Sequence, residues 1–322
     1  MDLDQTPVWL ITNGAAASDA QARGVAMALG APFALHHVAP RAPWRWLAPW
    51  GPVAPGEVGP GGRFAPPWPR LAISVSRQAA PYARAIARAS DGATFIAALQ
   101  HPRSAAGDFD FIWTPTHDRV RDPKVFQTPT SPHLLTRQSL AEAAKTVEAD
   151  LAALPRPLVL LLIGGPNGTY RFGAAELNRL LGMTGDAIGP GTALVTTSRR
   201  TPAALIPAIE AWAAARPSRL YLGAGPNPFL GWMASADHIV VTADSVNMTG
   251  EAAFTGKPVH VFHPPGAEGS KFARFHAALE QAGAARPFEG RLDRWAYAPL
   301  DATAEIADAL RAAMAARGVR LD

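Results

Sequence analysis

The sequence predicts an α/β protein with two parallel sheets, each the centre of a Rossmann-like domain, on three observations. Short aliphatic or β-branched runs alternate with helical segments over most of the 322 residues, the pattern of strands covered on both faces by crossover helices. The runs fall into two series, separated by the breaker Leu154-Pro-Arg-Pro157. Several end in Gly, Ser, Thr or Asn turns that lead into a helix start, where open parallel sheets present free backbone donors to ligands.

In the first series, strands are expected at Val8 to Thr12, Phe33 to Val38, Leu71 to Val75, Thr94 to Leu99 and Phe109 to Trp113, with helices near Gln21 to Leu29 and Arg77 to Arg88. Between the second and third strands, Arg41 to Arg70 sets Trp44, Arg45, Trp46, Trp50, Arg63, Phe64, Trp68 and Arg70 among Pro and Gly, a composition for a long loop. Its indoles either pack over the domain or, beside arginine, seek the headgroup region of an anionic membrane. An amphipathic helix from about Gln138 to Leu154 ends this series, giving an N-terminal domain over 1–155. The second series runs through Leu158 to Ile163, Ala193 to Thr197, Arg219 to Leu222, Ile239 to Thr242 and Val259 to Phe262 and gives a second domain over 156–301. A last helix, 302–317, is expected to pack back on the first domain.

Composition narrows the chemistry. With 48% hydrophobic residues a large core is available, and the absence of cysteine removes thiolate metal sites, disulfides and a cysteine nucleophile. The pI near 9.7 rests on a formal charge of only +4, supplied mostly by arginine. No helix-turn-helix, zinc-finger or RNP-like pattern accompanies it, so no nucleic-acid partner is expected. The longest apolar run falls far short of the roughly 20 residues that span a bilayer. The acidic Met1-Asp-Leu-Asp-Gln5 lacks the basic and apolar blocks of a secretory signal, so the expected location is the cytoplasm, with peripheral contact at the inner face of the cell membrane through the 41–70 loop.

The chemistry-bearing residues lie where strands end. In the second domain, Ile239-Val-Val-Thr242 is followed by Asp244, Ser245 and Asn247, then by a helix through Ala252, Ala253 and Phe254. Its first turn offers orphan N–H groups to an anion, and Glu251, one turn further in, can accept hydrogen bonds from ribose hydroxyls. Phosphate with ribose means a nucleotide. Leu158 to Ile163 runs into a turn with Gly164, Gly165 and Gly168, which would let backbone approach a phosphate or simply satisfy tight geometry. Ala193 to Thr197 runs into Ser198-Arg199-Arg200-Thr201-Pro202, where Thr201 is expected to cap a helix and Arg199 and Arg200 suit a diphosphate. Lys271, opening a later helix, can reach a phosphate or sugar hydroxyl; His276 inside it reads as a packed histidine. In the first domain, Asn13-Gly14 follows a strand, and Asp19 is either a helix cap or a general base; His117 and Asp118 after Thr114-Pro-Thr are the second base candidates. No metal-ligand spacing and no Walker-type phosphate loop is present, so no bound metal or cofactor is expected beyond a nucleotide-sugar as substrate.

Asn13-Gly14 with Gln21 and Gly24, His101-Pro102, Phe109-Asp110 with Pro115 and His117-Asp118, Gly164-Gly165-Pro166, Ser198 to Pro202, Thr242 to Glu251, and Lys271-Phe272 with Phe275-His276 together resemble the family named after the mitochondrial fission protein ELM1. Its bacterial members carry the description of glycosyltransferases, and the likeness covers almost the whole chain. The Thr242 to Pro258 block is also similar to the donor-binding segment of GT-B glycosyltransferases of the MurG type. That similarity implies that Ser245, Asn247 and Met248 face phosphate and Glu251 the ribose, in a two-domain GT-B-like fold with an interdomain cleft. It further implies sugar transfer from a nucleotide-sugar to a cell-envelope or lipid-linked acceptor, with Asp19 or His117 taking the acceptor proton. The family pattern has an aspartate at the place of Asn13 and a glycine at that of Ala17, so this chain departs from it at the expected base turn. A nucleotide-sugar epimerase of the same architecture and a non-catalytic interaction protein stay open beside the transferase.

Overall fold

The computed structural model describes residues 7–321, and the acidic Met1 to Gln5 stretch lies outside the described residues. The chain divides into two compact units, residues 1–134 with 301–322 and residues 135–300. In the first, β1 (Val8–Thr12), α1 (Ala16–Leu29), β2 (Phe33–His37), α2 (Trp44–Leu47), β3 (Leu71–Val75), α3 (Ala80–Ala89), β4 (Phe95–Leu99), β5 (Phe111–Pro115) and β6 (Val125–Thr128) follow in order. The strands form one six-stranded sheet, β2-β1-β3-β4-β5-β6. Every pairing in it is parallel. β1, β3, β4 and β5 are buried along their whole length, which explains why they read as unbroken apolar runs rather than as alternating ones.

The second unit contains α4 (Arg137–Ala152), β7 (Leu158–Ile163), α5 (Ala174–Ile188), β8 (Thr192–Thr197), α6 (Ile206–Ala214), β9 (Ser218–Tyr221), α7 (Phe229–Ser235), β10 (His238–Thr242), α8 (Val246–Phe254), β11 (Val259–Phe262), α9 (Lys271–Gln281) and β12 (Ala285–Pro287). Its sheet is again six-stranded, β12-β11-β10-β7-β8-β9, and parallel throughout. The last helix, α10 (Ala302–Ala316), belongs to the first unit, where Ile306, Leu310 and Met314 join the core made by Val25 and Leu29 of α1 with β1, β3 and β4. In both sheets the chain reverses its direction of winding beside one strand, between β1 and β3 in the first and between β7 and β10 in the second. At such switch points two loops part at the carboxyl edge and leave a crevice.

Three sequence expectations shift. The strand placed at Phe109 to Trp113 begins at Phe111, because the Phe109 N–H closes a turn on the Ala106 carbonyl and the Asp110 carboxylate accepts the Ile96 N–H. The helix placed from Arg77 begins at Ala80, after Ser76 turns the chain at φ 107°. The domain boundary placed at 154–157 lies instead near 134, because α4 packs on α7: Val147 and Leu151 share a core with Trp232 and Met233. Part of the Trp-rich loop packs over the domain and part is exposed. Phe64 is wholly buried and, with Trp68, rings Trp9 of β1, whereas Trp46 and Trp50 stay 69% and 51% exposed.

Gly231 lets α7 approach α4. A Cβ there would lie 2.6 Å from the Ala143 carbonyl oxygen and 2.8 Å from both Val147 methyls. The valine can turn but the carbonyl cannot without unwinding α4, so Gly231→Ala is expected to cost about 2 kcal/mol in urea unfolding. A loss under a few tenths of a kcal/mol would show the boundary helix to be loosely held.

Candidate functional site

In the second unit the switch point is built around one buried carboxylate. Asp244, directly after β10, is 1% exposed. It accepts the Thr242 hydroxyl at 2.7 Å, the Gly165 N–H at 3.2 Å and an Arg200 guanidinium nitrogen at 2.5 Å. Arg200 also donates to the Asp244 carbonyl, as does the Asn167 amide at 3.3 Å, so the loops after β7, β8 and β10 meet on this residue. A buried carboxylate with a guanidinium and further donors offsets its desolvation; losing one partner would leave the charge stranded.

This clamp changes the role of several expected site residues. A Cβ at Gly164 would fall 2.0 Å from an Asp244 carboxylate oxygen, and one at Gly165 would fall 2.1 Å from the Arg200 carbonyl. The two glycines therefore make room for protein neighbours, while Gly168 opens onto free space. Arg200 commits one edge of its guanidinium to Asp244, so only its outer edge faces solvent; Arg199 is exposed. Thr201 is not a helix cap. Its hydroxyl bonds to the carbonyls of Ile163 and Gly164 and accepts the Ser198 N–H, tying β7 to β8, and α6 starts only at Ile206.

The start of α8 carries the remaining candidates. Ser245 is its N-cap and accepts the Met248 N–H at 3.4 Å, leaving the Val246 and Asn247 N–H groups at the dipole's positive end. Asn247 is exposed, and Met248 packs on the core. Lys271, the first residue of α9, is exposed, with its ammonium 5.7 Å from the Phe272 ring centre. His276 is buried and bonds the Ala243 carbonyl at 2.8 Å, so it is structural, as its place in the helix predicted. Sequence reasoning missed Tyr170: it is 1% exposed, its hydroxyl has no hydrogen-bond partner among the described residues, and burial, then Asp244 and Glu268, pushes its pKa up to about 12.

Glu251 is the anomaly of this unit. It sits on α8 with no hydrogen bond or ion pair among the described residues, and burial pushes its carboxyl up from 4.5 to about 7. An acid raised in this way binds its proton in the folded state at pH values where the unfolded chain has lost it. Stability therefore falls as pH rises from about 4.5 to about 7 and stays lowered above that. Relative to Glu251→Gln, the wild type is expected to lose about 3 kcal/mol between pH 4.5 and pH 8 in denaturant melts. Parallel stability curves would show that the carboxylate is solvated.

In the first unit the carboxyl edge carries a different set. Asp19, in the first turn of α1, accepts the Thr12 hydroxyl at 2.5 Å on one oxygen and meets His37 Nε2 at 2.8 Å with the other. It is thus not a helix cap, and its histidine partner is His37, which the sequence reading left unremarked within the strand Phe33 to Val38. His117 and Asp118 follow β5 in a short 3-10 turn, 3.7 Å apart, with His117 buried. Three strand spacings separate the ends of β1 and β5, roughly 14 Å, so the structure does not bring Asp19 and His117 together. Between them Ser76 and Gln100, the residues after β3 and β4, hold φ of 107° and 126°, and the Ser76 hydroxyl is buried without a partner among the described residues. Strained non-glycine backbone of this kind gathers at ligand sites.

Among solved structures, the UDP-GlcNAc 2-epimerase of Methanocaldococcus jannaschii has a TM-score of 0.57 at 11% identity, over 95% of this chain and 98% of that one. MurG of Acinetobacter baumannii has a TM-score of 0.51 at 14% identity, over 96% and 92%. These likenesses establish the GT-B fold. The mitochondrial fission protein ELM1 of Arabidopsis thaliana is 34% identical over 281 residues, 78% of this chain and 65% of that protein, so the match spans just under two thirds of its relative's length. The family described as Mitochondrial fission ELM1 matches residues 16–314, all of the described strands but β1, and the chain belongs to that family.

Proposed function

We propose that the chain is a GT-B-type glycosyltransferase that moves a sugar from a nucleotide-sugar to a cell-envelope or lipid-linked acceptor without a bound metal. The observation that carries this reading is Glu251, a desolvated carboxylate with no partner among the described residues, on a helix whose capped N-terminus offers free N–H groups. The pair suits a nucleotide: diphosphate oxygens accept from Val246 and Asn247, and ribose hydroxyls donate to Glu251. Asn247, Lys271, Arg199 and the outer edge of Arg200 supply further polar contact, and the positive groups among them stabilise the departing diphosphate. The solved structure described as a UDP-GlcNAc 2-epimerase supports the same ligand class.

Calorimetric titration with UDP, GDP, CMP and their sugar conjugates tests the donor site. A ligand at 100 times its dissociation constant is expected to raise stability by about 2.7 kcal/mol. Removing a carboxylate that accepts ribose hydroxyls, as in Glu251→Ala, is expected to weaken binding by about 1.5 to 3 kcal/mol. Because the ribose diol binds the ionised form, affinity for a nucleotide-sugar is expected to rise about tenfold from pH 6 to pH 8, and Glu251→Gln to abolish that slope. An epimerase would convert the bound donor with no acceptor present. Failure of every nucleotide to bind would favour the interaction role that the name of the plant relative suggests.

The acceptor side favours a membrane-borne substrate. Trp46, Leu47 and Trp50 are exposed beside Arg41 and Arg45, which line a cavity of about 460 Å³ with Trp46 and Gln78. Indoles with arginines suit an anionic headgroup layer. At about 1 kcal/mol per arginine, Arg41→Glu with Arg45→Glu is expected to weaken sedimentation with phosphatidylglycerol vesicles by thirtyfold or more. Equal binding to phosphatidylcholine would rule the anionic surface out.

A further inference from the structure

We propose that the cavity beside α2 is a site for a single phosphomonoester headgroup, of the phosphatidic acid kind, on an anionic membrane; the assignment deepens the membrane reading above and rests on it. Every group that lines the cavity belongs to the first unit.

The lining is a pair of uncompensated cations. The Arg45 N–H donates to the Arg41 carbonyl at 3.0 Å, which sets the two residues one helical turn apart, a spacing at which side chains share a face. Neither guanidinium makes a hydrogen bond or an ion pair among the described residues. No acidic residue lines the cavity, and none occurs anywhere between Asp19 and Glu57. Asp19 is itself held by Thr12 and His37. Like charges at this spacing repel, so the pair is stabilised by an anion placed between them. The turn is also anchored: Arg77 donates to the Arg45 carbonyl at 3.3 Å, and Gln78, the next residue, brings its amide to the cavity wall.

The chemistry of the lining selects the headgroup. At about 460 Å³ the cavity has the size of small-ligand sites, roughly 300–1,000 Å³. A guanidinium is planar and offers two parallel N–H bonds to a phosphate. Two of them, with the Gln78 amide as a further donor, match the free oxygens of a phosphomonoester and its charge of about −1.5 to −2 at pH 7. A diester, as in phosphatidylglycerol, carries a single charge and fewer free oxygens. Trp46, which also lines the cavity and is mostly exposed, supplies an apolar wall, and Leu47 and Trp50 are exposed close by in the chain. Indoles of this kind suit the boundary between headgroups and acyl chains. Such a site reads the geometry of one headgroup, whereas diffuse attraction to a surface counts only its charge.

The test uses the full chain and two sets of phosphatidylcholine vesicles, one doped with phosphatidic acid and one with phosphatidylglycerol, adjusted to equal zeta potential. Sedimentation is expected to show about tenfold tighter binding to the phosphatidic acid set, the effect of one added charge-assisted hydrogen bond. Arg41→Lys with Arg45→Lys keeps both charges but removes the forked donors, so it is expected to bring the two sets to equal affinity. In solution, calorimetry is expected to find one dibutyryl phosphatidic acid per chain, bound more tightly than inorganic phosphate. Equal binding of the wild type to both vesicle sets would overturn the headgroup site and leave the general membrane reading standing. A preference kept in full by the double lysine variant would overturn it as well. Inorganic phosphate bound as tightly as the short-chain lipid would show a site for free phosphate and overturn the lipid source. Failure of the wild type to bind either set would bring down the membrane reading and this site with it.

Discussion

The second unit depends on the charge of Asp244. Three loops leave adjacent strands at the carboxyl edge of the sheet, and each would otherwise end in unpaired backbone groups facing a crevice. Asp244 gathers them: its carboxylate holds the Gly165 N–H, the Thr242 hydroxyl and the Arg200 guanidinium, and its carbonyl holds Arg200 and Asn167. Thr242 in turn accepts the Gly164 N–H at 2.7 Å. Gly164 must be glycine because the carboxylate occupies the space of its side chain. With the loops so fixed, Ser245 can cap α8, and the cap orients the free N–H groups and Glu251 on one rigid helix. The crevice is thus held in one shape by contacts within the protein.

Clamp and site residues carry opposite energetic signs. Asp244 is more deeply buried than Glu251, yet it has three donors, whereas Glu251 has none among the described residues and holds its proton to about pH 7. A stabilising network beside an unsatisfied acid is the pattern expected where folding free energy is given up for binding. The first unit shows the same division at lower burial. Thr12, Gly14 and Asp19 form a satisfied chain of hydrogen bonds under His37, and next to it Ser76 combines a strained φ with an unpartnered hydroxyl.

The two sheets were legible in the sequence because strands buried on both faces leave unbroken apolar runs, as in Leu158 to Ile163, all six of them buried. The two strands that escaped notice are edge strands with weak patterns. Val125-Phe-Gln-Thr128 is mostly half-buried, and Ala285-Arg-Pro287 exposes two of its three residues. The boundary was misplaced because Pro155 and Pro157 mark a break in the chain, not the side on which a helix packs; that depends on Gly231, almost 80 residues beyond α4. The loops after β7, β8 and β10 were legible as turns. Their internal partners were not, since the choice between Arg200 meeting a phosphate and Arg200 meeting Asp244 is made by residues 44 positions apart. His37 was hidden for the same reason: its meaning comes from Asp19 across the gap between β2 and α1, and locally it only ends a strand.

The departure at Asn13 takes on a different sense in this setting. Its side-chain oxygen accepts the Ala15 N–H at 3.2 Å and closes a turn that starts α1, where the cap residue Ala15 supplies no side-chain bond of its own. An aspartate there would accept the same bond, so the change to asparagine preserves the turn and removes only a charge. Ala17 lies exposed in the first turn of α1, where a methyl group is ordinary helix surface. A carboxylate at this edge is supplied by Asp19 in the first turn of α1, where Thr12 and His37 hold it in place. Residue 13 thus serves the turn, and the carboxylate at this edge is that of Asp19.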